Sequence, residues 1–172
     1  MRAFFTTIGM LAILVTTVVA QSSSGFDKSK LVYSGTVNFA FTNNFSSVTI
    51  SPQVGYAFNK FFTAGTGINY NYRGNPNTSL NFLGLNVYGR VKPIQYVAFQ
   101  VQPEGHYMWG KNLESRIIPC VLVGAGVVIP SGKVGFINAM IYYDVIQYTY
   151  NGINYSPYGN QVIYSVGYIF SF

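Results

Sequence analysis

The sequence predicts an all-β chain, an eight-stranded antiparallel transmembrane up-and-down β-barrel preceded by a cleaved signal peptide. Three observations predict it. Toward the last residue, every second side chain is large and apolar: Val162, Tyr164, Val166, Tyr168, Phe170 and Phe172. The first residues read as an export leader. Across the chain, charged residues are 8% and aromatics 17%, where a soluble domain carries ~25% charged residues. Yet beyond the leader no apolar run is long enough for a membrane helix. Scarce charge without such a run suits a sheet with one apolar and one polar face.

Met1 and Arg2 form a short basic start, followed by an apolar stretch from Met10 to Val19. Val18 and Ala20 stand at the small-residue positions before a cleavage site, so Gln21 opens the mature chain. The competing reading, a spanning helix, is disfavoured because the segment is at the short end of the ~20 residues a span needs. The organisation expected is a signal peptide over 1–20, a flexible periplasmic N-terminus over 21–29 and an outer-membrane barrel over 30–172. Gln21 is not the cysteine a lipoprotein would carry there.

The strands follow from period-two alternation. The first sets Leu31, Tyr33, Val37, Phe39 and Phe41 against Ser34, Thr36 and Asn38. The second sets Val48, Ile50, Val54, Tyr56 and Phe58 against Thr49, Ser51, Gln53 and Gly55. The third sets Phe62, Ala64, Ile68, Tyr70 and Tyr72 against Thr63, Gly65, Gly67, Asn69 and Asn71. The fourth sets Leu83, Leu85, Val87 and Val91 against Asn86, Tyr88, Arg90 and Lys92. The fifth sets Val97, Phe99, Val101 and Tyr107 against Gln100, Gln102, Glu104 and His106. The sixth and seventh alternate less cleanly, with Ile117, Val121, Val123, Val127 and Ile129, then Ile137, Ala139, Ile141, Tyr143 and Val145, on the apolar side. The terminal run is the eighth. In each, the apolar set is expected to face lipid.

The connections support this count. Tight turns at Asn59-Lys60, Lys92 to Gln95 and Pro130 to Lys133 alternate with longer links at 42–47, 73–79, 109–115 and 149–160. Short periplasmic turns and longer outer loops are the rule for such barrels. Pro52, Pro103 and Pro119 interrupt strands. Proline cannot donate to a ladder, so bulges near the outer rim are expected there.

The glycines of the polar faces leave room for Tyr88, Met140, Tyr142 and Gln side chains to pack across the axis, so a plugged interior is expected. Pairing about the turns brings Glu104 opposite Cys120, His106 opposite Ile118, and Ile118 near Asp144. Arg73, Glu104, His106, Arg116 and Asp144 are then expected to form a polar cluster in the upper lumen, structural in role because buried charges must be paired. Tyr148, Tyr150, Tyr155, Tyr158 and Trp109 fall in outer loops and read as an aromatic girdle at the membrane surface.

Several chemistries find little footing. The net charge of +6 falls to +5 without Arg2, and the basic residues do not cluster as a nucleic-acid surface requires. Cys120 is the sole cysteine, which excludes an intrachain disulfide and reads as a small buried hydrophobe. His106 is the sole histidine, thin for zinc. No metal, cofactor or catalytic residue is expected, and the chain reads as non-enzymatic. Asn44-Phe45-Ser46, Asn77-Thr78-Ser79 and Asn154-Tyr155-Ser156 match the glycosylation acceptor pattern, with chance the better explanation in Asn- and Ser-rich loops.

The leader ending Val18-Val19-Ala20, the alternating strands and the terminal set Tyr164, Val166, Tyr168, Phe170 and Phe172 resemble the small eight-stranded bacterial outer-membrane barrels of the OmpA-barrel and OmpX kind. The resemblance covers the whole mature chain. It implies export by the general secretory pathway, residence in the outer membrane, and contact with its lipids and lipopolysaccharide. The terminal set looks like the C-terminal signal read by the barrel assembly machinery, the implied partner during biogenesis, with a larger membrane complex as a further partner. No periplasmic domain is expected after the barrel, a departure from OmpA. The residue two after His106 is Met108, and neither Glu104 nor Asp144 precedes a serine, so the chain departs from the lipid A deacylase and palmitoyltransferase barrels. The expected function is an envelope structural or accessory role. The alternatives are a narrow pore for small solutes, a lipid-modifying enzyme using His106 and, outside the membrane, a soluble lipocalin-like carrier.

Overall fold

The computed structural model describes residues 27–41, 46–74, 79–110, 113–150, 153–159 and 162–171. The expected signal peptide, residues 21–26 and Phe172 lie outside them. Among the described residues ten strands form in chain order: β1 (Leu31–Phe41), β2 (Ser46–Ala57), β3 (Phe62–Gly74), β4 (Ser79–Ile94), β5 (Val97–Gly110), β6 (Leu113–Pro130), β7 (Gly135–Asp144), β8 (Thr149–Tyr150), β9 (Ile153–Asn154) and β10 (Ile163–Ser171). Eight of them close into one barrel in the order β1-β10-β7-β6-β5-β4-β3-β2. Every neighbouring pair is antiparallel, including the closing pair, where Val37 stands opposite Val166. Closure leaves no unpaired sheet edge, which is what a β-structure in lipid requires. β8 and β9 pair only with each other, inside the connection from β7 to β10.

The wall is two-sided in the sense opposite to a soluble protein. Leu85 is 68% exposed, Phe99 51% and Val166 52%, and every barrel strand carries exposed large apolar residues on that outward face. Inward-facing Ser51, Asn69, Asn86, Gln100, Gln102 and Asn138 are buried. The period-two pattern therefore reports which face meets lipid and which meets the lumen. The fold is an eight-stranded up-and-down barrel of the transmembrane type.

The two ends differ. At one end the strands turn tightly. Asn59 Oδ1 accepts the amides of Phe61 at 2.8 Å and Phe62 at 2.9 Å, an Asx turn that closes β2 onto β3. Gln95 and Tyr96 alone link β4 to β5. Between β6 and β7, Gly132 adopts φ +77°, a backbone state that glycine enters without strain. The other end carries the long connection from β7 to β10, residues 145–162.

Two sequence expectations need correction. The prolines are not bulges. Pairing of β2 with β3 passes from Ile50–Tyr70 to Gln53–Gly67, so register is kept across Pro52 while the ladder skips it. Pairing of β4 with β5 likewise runs from Gly89–Val101 to Asn86–Glu104 across Pro103. A missing N–H deletes a rung without demanding an extra residue. Pro119 pairs with Gly105 on β5 and stands above the point where the β6–β7 ladder begins, at Leu122. The irregularities fall instead between Val91 and Ile94 and between Met108 and Gly110. Second, Asp144 stands opposite Leu122, not Ile118, because the turn spans Ser131–Gly135, with Pro130 paired to Phe136 and the Ser131 amide donating to Gly135 O at 2.8 Å. Ahead of β1, residues 27–30 form a capped turn. Asp27 accepts from the Ser29 amide at 3.0 Å and hydroxyl at 2.7 Å, at the head of a 3-10 turn over Lys28–Lys30. Those bonds, with Lys30 nearby, hold the Asp27 carboxyl below the usual carboxylate range.

Candidate functional site

The lumen is filled by side chains in successive layers. At mid-height, Gln53 on β2 donates to Asn86 Oδ1 at 3.2 Å and to Gln102 Oε1 at 3.0 Å. β2 and β5 lie on well-separated parts of the wall, so the second bond crosses the interior. Gln100 Nε2 donates to Gln102 Oε1 at 2.6 Å, and Asn86 Nδ2 donates to Asn69 Oδ1 at 2.6 Å. Toward the turn end, the Tyr88 ring lies over Gly55 and Gly65, and the Tyr142 ring lies over Gly124. Small residues on one wall admit large ones from another, as the alternation implies.

Glu104 is the hub of the layer above. It is 1% exposed. Its Oε1 accepts from Asn69 Nδ2 at 2.8 Å and Gln102 Nε2 at 2.6 Å. Its Oε2 accepts from the Tyr158 hydroxyl at 2.9 Å and lies 2.7 Å from His106 Nε2. The His106 ring stands edge-on to Phe82 and Tyr158, with centroids 6.3 and 6.1 Å away. A buried carboxylate survives only with its lone pairs engaged, and this one has four partners.

The cap comes from the long connection between β7 and β10. Ser156, Pro157, Tyr158 and Gly159 are buried, where the sequence led us to expect an aromatic girdle. Local chemistry builds this turn. Asn154 Oδ1 accepts the Ser156 amide at 2.8 Å, Ser156 Oγ accepts the Tyr158 amide at 3.3 Å, and the Gly159 amide donates to Ser156 O at 3.1 Å. Proline at the second position and glycine at the fourth suit that turn. Tertiary bonds then pull it inward. Ser156 Oγ donates to Asp144 Oδ2 at 2.7 Å, Arg73 Nη1 donates to Ser156 O at 2.7 Å, and Ser47 Oγ donates to Pro157 O at 3.0 Å. Tyr148 and Tyr155 pack against Phe82, Met108, Ile118 and Cys120. They line the cap, leaving Trp109, stacked on exposed Tyr107 at 6.0 Å, in the girdle position. Tyr150's side chain lies outside the described residues.

The five residues expected to cluster thus converge on this cap. Glu104 and His106 touch each other. Asp144 and Arg73 meet the cap through Ser156, and the Arg116 guanidinium stands 5.8 Å from the centre of the Tyr155 ring. Ser156 and Tyr158 are the members that sequence reasoning missed. Their signal was present in Asn154-x-Ser-Pro-x-Gly, a turn motif within the longest connection. Replacing Ser156 by Ala removes the donor to Asp144 and the acceptor for Tyr158. We expect a loss of about 1–2 kcal/mol in urea unfolding and faster proteolysis between residues 145 and 162.

Tyr164, Val166 and Phe170 are exposed on the outward face and Tyr168 is half-buried. The Tyr168 hydroxyl donates to Ser131 O at 2.8 Å, tying β10 to the turn between β6 and β7. A second feature of the outward face is a groove of about 680 Å³ beside Gly105, walled by Leu83, Leu85, Pro103, Tyr107 and Ile117. Glu104 and His106 border it through the wall, but their side chains are buried in the lumen.

No protein-family model matches the chain, and no curated protein sequence matches it. Solved structures do. The outer membrane protein Ail of Yersinia pestis, determined in a phospholipid bilayer nanodisc, superposes with a TM-score of 0.53 at 13% identity, covering 83% of this chain and 98% of that one. Neisserial surface protein A gives 0.51 at 13% identity, covering 83% and 96%. A de novo designed transmembrane β-barrel gives 0.50 at 14% identity, covering 84% and 97%. At these identities the likeness is one of fold, shared by natural and designed membrane barrels.

Proposed function

We propose that this chain is an integral protein of a bacterial outer membrane whose barrel serves a non-enzymatic, structural or accessory role in the envelope. One observation carries the reading: an outward apolar face encloses a lumen that its own side chains fill and its own last connection caps. The apolar face requires lipid, since this much exposed apolar surface associates in water. The lumen groups at the cap are committed to one another, with Glu104 holding four of them. The fold shared with Ail and Neisserial surface protein A supports the compartment. The assembly machinery, lipopolysaccharide and a larger membrane complex remain the partners proposed.

Fractionation checks the first half: the mature protein should sediment with outer membranes and require detergent for extraction. Recovery from the soluble periplasm would exclude it and favour the carrier alternative. Planar-bilayer recording checks the second half. The filled lumen should give flat traces, whereas steps that change in Arg90→Ala or Glu104→Ala would establish the narrow pore. The groove beside Gly105 is the observation that keeps an enzyme reading in view, because an acyl chain seated there lies across the wall from His106. Under the structural reading, His106→Ala leaves lipid A profiles unchanged.

A further inference from the structure

The turn end of the barrel opens on a blind cavity of about 360 Å³. Lys30, Lys60, Arg90 and Lys92 line it, with Ser29 and Thr63 as hydroxyl-bearing neighbours and Val128, Phe136 and Ile169 as apolar walls. No carboxylate is among its lining residues. Asp27 is the acid nearest in sequence, and its Oδ1 already accepts both Ser29 donors.

Arg90 makes this more than a ring of surface lysines. It is 3% exposed and sits at the inner end of the cavity, below the filled lumen. Its Nε donates to Gln100 Oε1 at 2.7 Å, and its guanidinium carbon lies 5.6 Å from the centre of the Tyr88 ring. These contacts hold the plane of the guanidinium. Its Nη2, equally buried, has no hydrogen-bond partner among the described residues. A buried cation with an unused donor, lining a cavity that carries three ammonium groups and no acid, is an arrangement completed by an anion.

We propose that this vestibule is a binding site for a phosphate group, with Arg90 as the deep contact and Lys30, Lys60 and Lys92 as the outer ones. A phosphate has several oxygens and can be met from opposite sides, which suits four cations around one cavity. Lys92 is placed for this by the Phe136 ring, 5.6 Å from its Nζ. The mouth lies at the membrane surface of the turn end, so the phosphate can come from a lipid headgroup or from solution. The site does not depend on the envelope role proposed above, because it is complete within one barrel.

The test uses the mature chain refolded in a sugar-headed detergent, which brings no phosphate of its own. Inorganic phosphate is titrated while calorimetry reports affinity and the Arg90 Nε–H resonance is followed by NMR. Saturable binding that moves this resonance is expected, weakening with added salt and falling about tenfold or more in Arg90→Gln and in the Lys60→Gln/Lys92→Gln pair. If Arg90→Gln does not refold, the lysine pair decides alone. Adding phosphatidylglycerol to the micelles separates the two sources: displacement of inorganic phosphate assigns the site to a headgroup, and unchanged phosphate affinity assigns it to a soluble phosphate. Failure of both phosphate and phosphatidylglycerol to bind would overturn the proposal. So would an affinity that the folded variants leave unaltered.

Discussion

Replacing Glu104 by Ala should cost about 3–5 kcal/mol of barrel stability, because four buried polar groups would lose their shared partner at once. The reason is the number of groups that depend on it. Asn69, Gln102, His106 and Tyr158 all direct a polar atom at this carboxylate, and all four are buried. Tyr158 would lose its anchor, so the cap should loosen with the layer beneath it. Glu104→Gln keeps the shape and one acceptor oxygen, and should lose clearly less. Urea unfolding of the refolded protein in micelles or bilayers, followed by tryptophan fluorescence at Trp109, measures both. Equal midpoints for wild type and Glu104→Ala would mean that the network contributes nothing.

Gly65→Val should prevent closure or weaken it by about 3 kcal/mol or more, at the upper end of overpacking costs. A Cβ at Gly65 would stand against the carbonyl oxygen of Val54, 2.6 Å from Gly55 Cα and 2.8 Å from Tyr88 Cε1. Two of these are backbone atoms of the neighbouring strand, and they cannot move aside without breaking the ladder. Gly105→Val makes the opposite case. A Cβ there meets nothing within 4 Å, because it points outward into the groove. Its effect should stay within about 0.5 kcal/mol. The heat-dependent gel shift of a folded barrel, together with urea midpoints, separates the two. Similar losses at both positions would refute the assignment of inner and outer faces.

That pair of glycines shows how much could be read from the letters. Alternation placed Gly65 on the polar face with Asn69 and Asn71, and it placed Leu85, Phe99 and Val166 outside. Strand number and face follow from local periodicity plus the alternation of short turns with longer links, and pairing β5 with β6 about their loop puts Glu104 opposite Cys120. Asp144 was misplaced by four residues for the same physical reason run backwards. The turn before it spans Ser131–Gly135 and not Pro130–Lys133, and moving the centre of a turn by two residues slides every pair along the ladder by four. The prolines misled because sequence cannot distinguish a deleted rung from an inserted residue.

Amino-acid order by itself determined the two-faced strands, their number, and hence a barrel that needs lipid outside it, because each of these depends on neighbours two residues away. The tertiary structure alone decided where the aromatic residues of the last connection go. Tyr155 and Tyr158 are equally able to lie at a membrane surface or inside a lumen. Ser47, Arg73, Glu104 and Asp144, brought from four different strands, supply the bonds that draw this connection inward. A choice between two environments of similar polarity is made by partners distant in sequence, and those become neighbours only once the cylinder has closed.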